Sequence, residues 1–215
     1  MSAAQVIDLC NAVLVILEKE TLAASADLAA PATPDERVFA ARLDNLLRAL
    51  AAEHAWKCLR KRAALTEDTS NPPAFGFDRK YPYPNSVARI CSVGLDGLWE
   101  HGAEAYVDED HAILTDATTV EVIYTWYPWR ADYATTELWD AAIGAYIDDW
   151  HAPYRQYAEM YVAYHLCKAL GGTNAMRETL ERERERARIR ALAYDRANEI
   201  QGSIYSGELI QERFS

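Results

Sequence analysis

The chain has 215 residues and a mass of 24.2 kDa, room for one domain or one domain with an insertion, and too little for two full-sized ones. Apolar residues make up 50% of it, enough for a real core and against global disorder. Thirty-three acidic residues against 22 basic ones leave a formal charge of -11, which argues against a dedicated binder of nucleic acid or anionic membrane, whose affinity comes from a basic face.

In chain order, Val6, Leu9, Cys10, Val13, Leu14 and Leu17 recur at helical spacing and predict a first helix over about residues 3–20. Residues 23–34, rich in alanine with two prolines, read as a loop. Thr33-Pro34-Asp35-Glu36 then predicts a helix start, with Thr33 as N-cap, proline in the first helical position and Glu36 closing a capping box. That helix runs through Val38, Phe39, Leu43, Leu46, Leu47, Leu50 and Ala51 to about Trp56. From Lys57 to Tyr127 the character turns to β. Asn71-Pro72-Pro73 breaks any helix, and Tyr81-Pro82-Tyr83-Pro84 excludes both helix and central-strand pairing. Residues 87–95 read as a strand and Asp96-Gly97 as a two-residue hairpin turn. Residues 98–100 and 104–107 continue a meander, Asp108-Glu109-Asp110 reverses the chain, and 112–115 and 120–127 supply two more strands. Helical spacing returns over 136–150, again from Ala152 to Leu170 with a stop at Gly171-Gly172, and in a last helix capped by Thr173 or Asn174 that reaches about Asn198.

The expected fold class is therefore α+β, mainly helical. It combines a four-helix-type bundle (residues 1–70 and 128–198), an inserted antiparallel β-meander (71–127) and an extended C-terminal tail (199–215). The longest apolar stretches, such as Ala12 to Leu17, are far shorter than the ~20 residues a bilayer requires. The N-terminus has no basic region and carries Asp8 early, so it does not read as a signal peptide. Cys10, Cys58, Cys91 and Cys167 lack C-x-x-C spacing and read as reduced, packed thiols of a soluble cytoplasmic protein.

Chemistry finds little support. His54, His101, His111, His151 and His165 show no ligand spacing, and His165 reads as an interior or interface residue. Glu104, Asp108, Glu109 and Asp110 read as a solvated turn, lacking both the calcium-loop pattern and a cleft-spanning carboxylate pair. No dinucleotide, phosphate-loop or serine-elbow motif occurs, so no cofactor and no metal is expected. Interaction features are stronger. Residues 177–190 hold six arginines and four glutamates, either a solvated helix face or a surface on which Arg182, Arg184, Arg186 and Arg188 meet acidic groups of a neighbour. Twelve aromatic residues crowd the stretch from Tyr124 to Tyr164, as core, as interface anchors, or as both. Beyond a Gly202-Ser203 break, Ile204, Tyr205, Leu209, Ile210 and Phe214 either pack back on the domain or dock on a partner.

Several short features also fall in a particular order. The second helix ends at Trp56 and is followed by Arg60 and Leu65-Thr66. Phe75-Gly76-Phe77 through Tyr81-Pro82-Tyr83-Pro84 then enters the strand holding Arg89-Ile90, and a meander leads to Tyr124. A helix opens near Trp150, Pro153 and Tyr154, and Gly171-Gly172 precedes a charged final helix. Over most of the chain this order resembles the tail tubular protein A family, the head-to-tail adaptors of short-tailed bacteriophages. Departures are Tyr83 in place of the usual leucine, Asn85-Ser86 in place of an acid, and an added segment at 135–149.

The resemblance implies a virion protein of the tail or neck, assembled in the host cytoplasm and without enzymatic turnover. It implies a homo-oligomeric twelve-subunit ring between the portal protein and the tail nozzle protein, with DNA passing through the lumen without specific binding and with no membrane. On that reading Arg182, Arg184, Arg186 and Arg188 contact a neighbouring subunit or the portal, and the tail from Gly202 docks on the portal or an adjacent subunit. Two other readings stay open: a tail-associated peptidoglycan hydrolase using Glu104 or Asp108, and a helical interaction module unrelated to phages.

Overall fold

A computed structural model describes residues 4–99, 102 and 105–205. It is a mixed α+β structure, 48% helix and 18% strand. Its elements are α1 (Ala4–Ile16), α2 (Pro34–Glu53), β1 (Arg60–Leu65), β2 (Arg79–Pro82), β3 (Val87–Leu95), β4 (Val107–Glu109), β5 (Ala112–Thr115), β6 (Val120–Trp126), α3 (Thr136–Asp148), α4 (Ala152–Leu166) and α5 (Asn174–Tyr205). The chain divides into two compact units, one drawn from Met1–Leu47 and Ile147–Ser215, the other from Arg48–Tyr146.

The first unit is helical. α1 buries Val6, Ile7, Leu9, Cys10, Val13 and Leu14, the stripe its spacing predicts, and it packs against α4, which in turn packs against α5. α1 stops at Ile16, short of residue 20. Glu18 takes a left-handed φ of 56°, and Lys19 N–H donates to Leu14 C=O at 2.9 Å while Glu18 N–H donates to Val15 C=O at 3.0 Å. That is a Schellman closure, usually carried by glycine and therefore silent in a sequence that puts glutamate there. The capping box at α2 is formed: Glu36 N–H donates to Thr33 Oγ1 (3.2 Å), and Glu36 Oε2 accepts from Thr33 N–H (3.1 Å) and Ala32 N–H (2.5 Å).

The α4–α5 reversal is closed in the same way as α1. Gly171 has φ 83°, with Gly172 N–H on Cys167 C=O at 2.7 Å and Gly171 N–H on Lys168 C=O at 3.2 Å. Gly172 is there for space: a Cβ would sit 2.8 Å from the Cys167 carbonyl oxygen. All four cysteines are free thiols, Cys10 and Cys167 buried, Cys58 and Cys91 partly so.

The second unit holds two three-stranded antiparallel sheets, ordered β1-β6-β3 and β2-β5-β4. Strand order does not follow the chain as a simple meander: β6 lies between β1 and β3, and β5 between β2 and β4. Tyr81, Val87, Val93, Leu95, Ile113, Val120, Val122 and Tyr124 form a common core. Pro82 ends β2, an edge strand, where its missing N–H costs no ladder bond. Asp96-Gly97 makes the expected turn, with φ 49° and 82°. Leu98 forms only a single bridge to Leu95, and the later reversal sits at Asp110-His111 (φ 50° and 57°), after β4 and not across Asp108-Glu109-Asp110.

Candidate interaction surface on the final helix

α5 begins at Thr173, whose Oγ1 accepts the Met176 N–H at 3.1 Å, so threonine and not Asn174 is the cap. Leu180, Ala187, Ala191 and Asp195 are its buried stripe, while Tyr194 is 42% exposed. The helix does not end near Asn198; it runs through Gly202-Ser203 to Tyr205. A single glycine costs a helix only about 1 kcal/mol relative to alanine, too little to stop it by itself. Ile204 and Tyr205 therefore lie in its last turn, whereas Leu209, Ile210 and Phe214 lie outside the described residues, as does Glu104.

The four candidate arginines divide between two sides of α5. Arg184 is half-buried, its guanidinium 4.3 Å from the centre of the Tyr164 ring. Arg177 stacks on the same ring at 5.1 Å and directs Nη2 to its hydroxyl at 3.4 Å. Arg188 is also half-buried and meets Glu185 at 3.3 Å. Arg186 is exposed and holds Glu183 at 2.6 Å. Arg182 is exposed and has no hydrogen bond or ion pair among the described residues. Arg182, Arg186 and Arg190, with Ile189 58% exposed beside them, make up the outward stripe. Exposed intrahelical pairs of this kind contribute about 0–1 kcal/mol, so they leave the charges available.

The same unit contains a polar contact that spacing does not reveal. His151 caps α4, its Nδ1 accepting the Tyr154 N–H at 3.1 Å. Nε2 then carries the ring proton and lies 3.5 Å from Oδ1 of Asp195, a carboxylate only 4% exposed on α5. Tyr194 lies 4.6 Å from the His151 ring. His165, expected in the interior or at an interface, is exposed, its ring tilted against Tyr161 (4.4 Å) and edge-on to Tyr164 (5.1 Å). Of the twelve aromatic residues from Tyr124 to Tyr164, Tyr124, Tyr127, Tyr146, Trp150, Tyr154 and Tyr157 are buried and the other six are half-buried, so the set serves both core and surface.

No group of three or more metal-ligating side chains is present among the described residues. A cleft of about 390 Å³ is lined by Phe77, Leu95, Asp96, Ala105, Thr115, Asp116 and Ala117. Its Asp96 Oδ1 accepts from the backbone N–H and hydroxyl groups of both Thr118 and Thr119. Those donors hold the carboxyl below its usual range, the opposite direction from a general acid. Asp116 accepts the Asp78 N–H at 2.8 Å. Asp108 accepts from the Tyr83 hydroxyl at 2.9 Å; burial, and then this carboxylate, push the phenol up to about 12. No family model matches the sequence, and a search of curated proteins finds no match.

Proposed function

We propose that this chain is a structural adaptor of a phage neck, a subunit of a ring between the portal and the tail nozzle, with DNA passing through the lumen. In this reading α1, α2, α4 and α5 form a four-helix-type bundle, the strands an inserted β extension, and the tail from Gly202 an arm that docks on the portal or on the adjacent subunit. The observation that carries it is the outward stripe of α5: Arg182, Arg186 and Arg190 around exposed Ile189, on a chain of formal charge -11. Arginine forks on a long helix suit carboxylates of a second protein, and the apolar anchor among them is what an interface centre uses. The acidic balance of the rest disfavours adhesion of passing DNA.

Electron microscopy of the protein mixed with the portal of the same genome tests this reading. An added annular layer is expected, lost with Arg182→Glu/Arg186→Glu and weakened by deleting residues 202–215. No added layer with the wild-type chain overturns the adaptor reading. An unchanged layer with the charge-reversed variant at low salt removes the arginines from the interface, and undiminished portal binding after the deletion removes the arm.

A further inference from the structure

We infer that copies of this chain join edge to edge, the basic outer edge of β1 on one copy pairing antiparallel with the acidic outer edge of β4 on the next; this deepens, and rests on, the ring reading above. β1 is an outer strand of one sheet and β4 an outer strand of the other, and no strand lies beyond either among the described residues. An outer strand presents backbone N–H and C=O groups that template another strand. β1 opens with Arg60, Lys61 and Arg62, three exposed bases in a row. β4 is Val107, Asp108 and Glu109, all exposed, with Asp110 following in the turn. Each edge thus carries one sign only.

The segregation of sign selects the partner. β4 on β4 sets Asp108 directly opposite its own copy and is disfavoured, while β1 on β1 sets Arg60, Lys61 and Arg62 against Leu65, Ala64 and Ala63 and gathers six bases along one seam with no acid to pair them. β1 on β4 sets Lys61 against Glu109 and Arg62 against Asp108, and places Ala63 against Val107, an apolar side chain 44% exposed in the single chain. Within its own copy Asp108 accepts from the Tyr83 hydroxyl, and the Lys61 ammonium lies 3.4 Å from the centre of the Trp126 ring. Protection against aggregation alone needs charges at an edge, but it does not need cations on one and anions on the other. Only head-to-tail pairing of β1 with β4 gains ion pairs, so the arrangement favours it over two-fold pairing; head-to-tail is the geometry that generates rings or filaments.

Mass photometry and sedimentation at low salt test the seam with two variants, Lys61→Glu/Arg62→Glu and Asp108→Lys/Glu109→Lys. The wild-type chain is expected to form oligomers that salt dissolves. Each variant alone is expected to associate roughly a hundredfold more weakly or worse, while melting like the wild type. Mixed together, they are expected to co-assemble, because every acidic β1 then finds a basic β4 and every basic β1 an acidic β4. Where the wild type assembles, either variant assembling alone like it, or a mixture of two folded variants that stays monomeric, overturns the seam.

Should Asp108→Lys disturb folding, Glu109→Lys alone takes its place. Should the wild type stay monomeric, Lys61→Cys and Glu109→Cys chains are mixed under oxidising conditions, in a background with Cys58 and Cys91 changed to serine. An intermolecular disulfide supports the seam and its absence overturns it. Annular layers on the portal that survive Lys61→Glu/Arg62→Glu overturn the seam and leave the adaptor reading standing. Co-assembly of the two variants without any layer on the portal does the reverse.

Discussion

Thr33 and Glu36 close the start of α2 by serving each other's amides, and the T-P-D-E spacing made that legible because every partner lies within four residues. Thr33→Ala is expected to lower stability by about 1 kcal/mol in urea unfolding. Glu36→Ala should cost about 1–3 kcal/mol, since it strands two amides beside a side chain only 7% exposed. Asp96 shows a second local device with a pH signature. Hydrogen bonds from Thr118 and Thr119 depress its carboxyl in the folded chain. Its contribution is therefore fully present above the ordinary carboxylate range and lost as pH falls through the lowered folded value. A carbon-detected NMR titration should place its midpoint below that of a free aspartate, and Asp96→Asn should flatten the acid limb of the stability profile. The His151–Asp195 contact was not legible, because the whole of α4 and its reversal separate the two residues in the chain.

Elements were legible where one short period decides them. The stripe of α1 follows directly from residue spacing and is observed, and residues 120–126 form the strand β6 expected there. Ends were harder: α1 stops on a left-handed glutamate and α5 passes through a glycine, so neither obeys the usual punctuation. Sheet order was hidden for another reason. β6 takes β1 and β3 as neighbours, and such pairing is fixed by distant partners in a shared core, not by the strand's own residues. The charged run of α5 was readable as a feature, but its two-sidedness depends on where α4 places Tyr164. Arg184→Ala should therefore cost about 0.5–1 kcal/mol through the lost ring contact, whereas Arg182→Ala should stay within about 0.5 kcal/mol of wild type. Thermal melts of the two variants side by side check that division.

At the scale of the whole molecule, the changes of spacing along the chain set the class, a mixed α+β structure with more helix than strand, and composition gave its acidic surplus. That surplus predicts no measurable anisotropy change for a labelled DNA duplex at physiological salt and micromolar protein; saturable binding would count against the proposed passage of DNA without specific binding. The division into two units was only partly legible, since α2 and α3 each run through a border without any break in helical spacing. The two edges of opposite sign, by contrast, needed the sheet order before they could be recognised as edges at all. Their consequence is a matter of leftovers. Any open row of copies ends with one bare cationic strand and one bare anionic strand, and only a closed circle leaves neither, so the angle between those strands within one copy would do the counting.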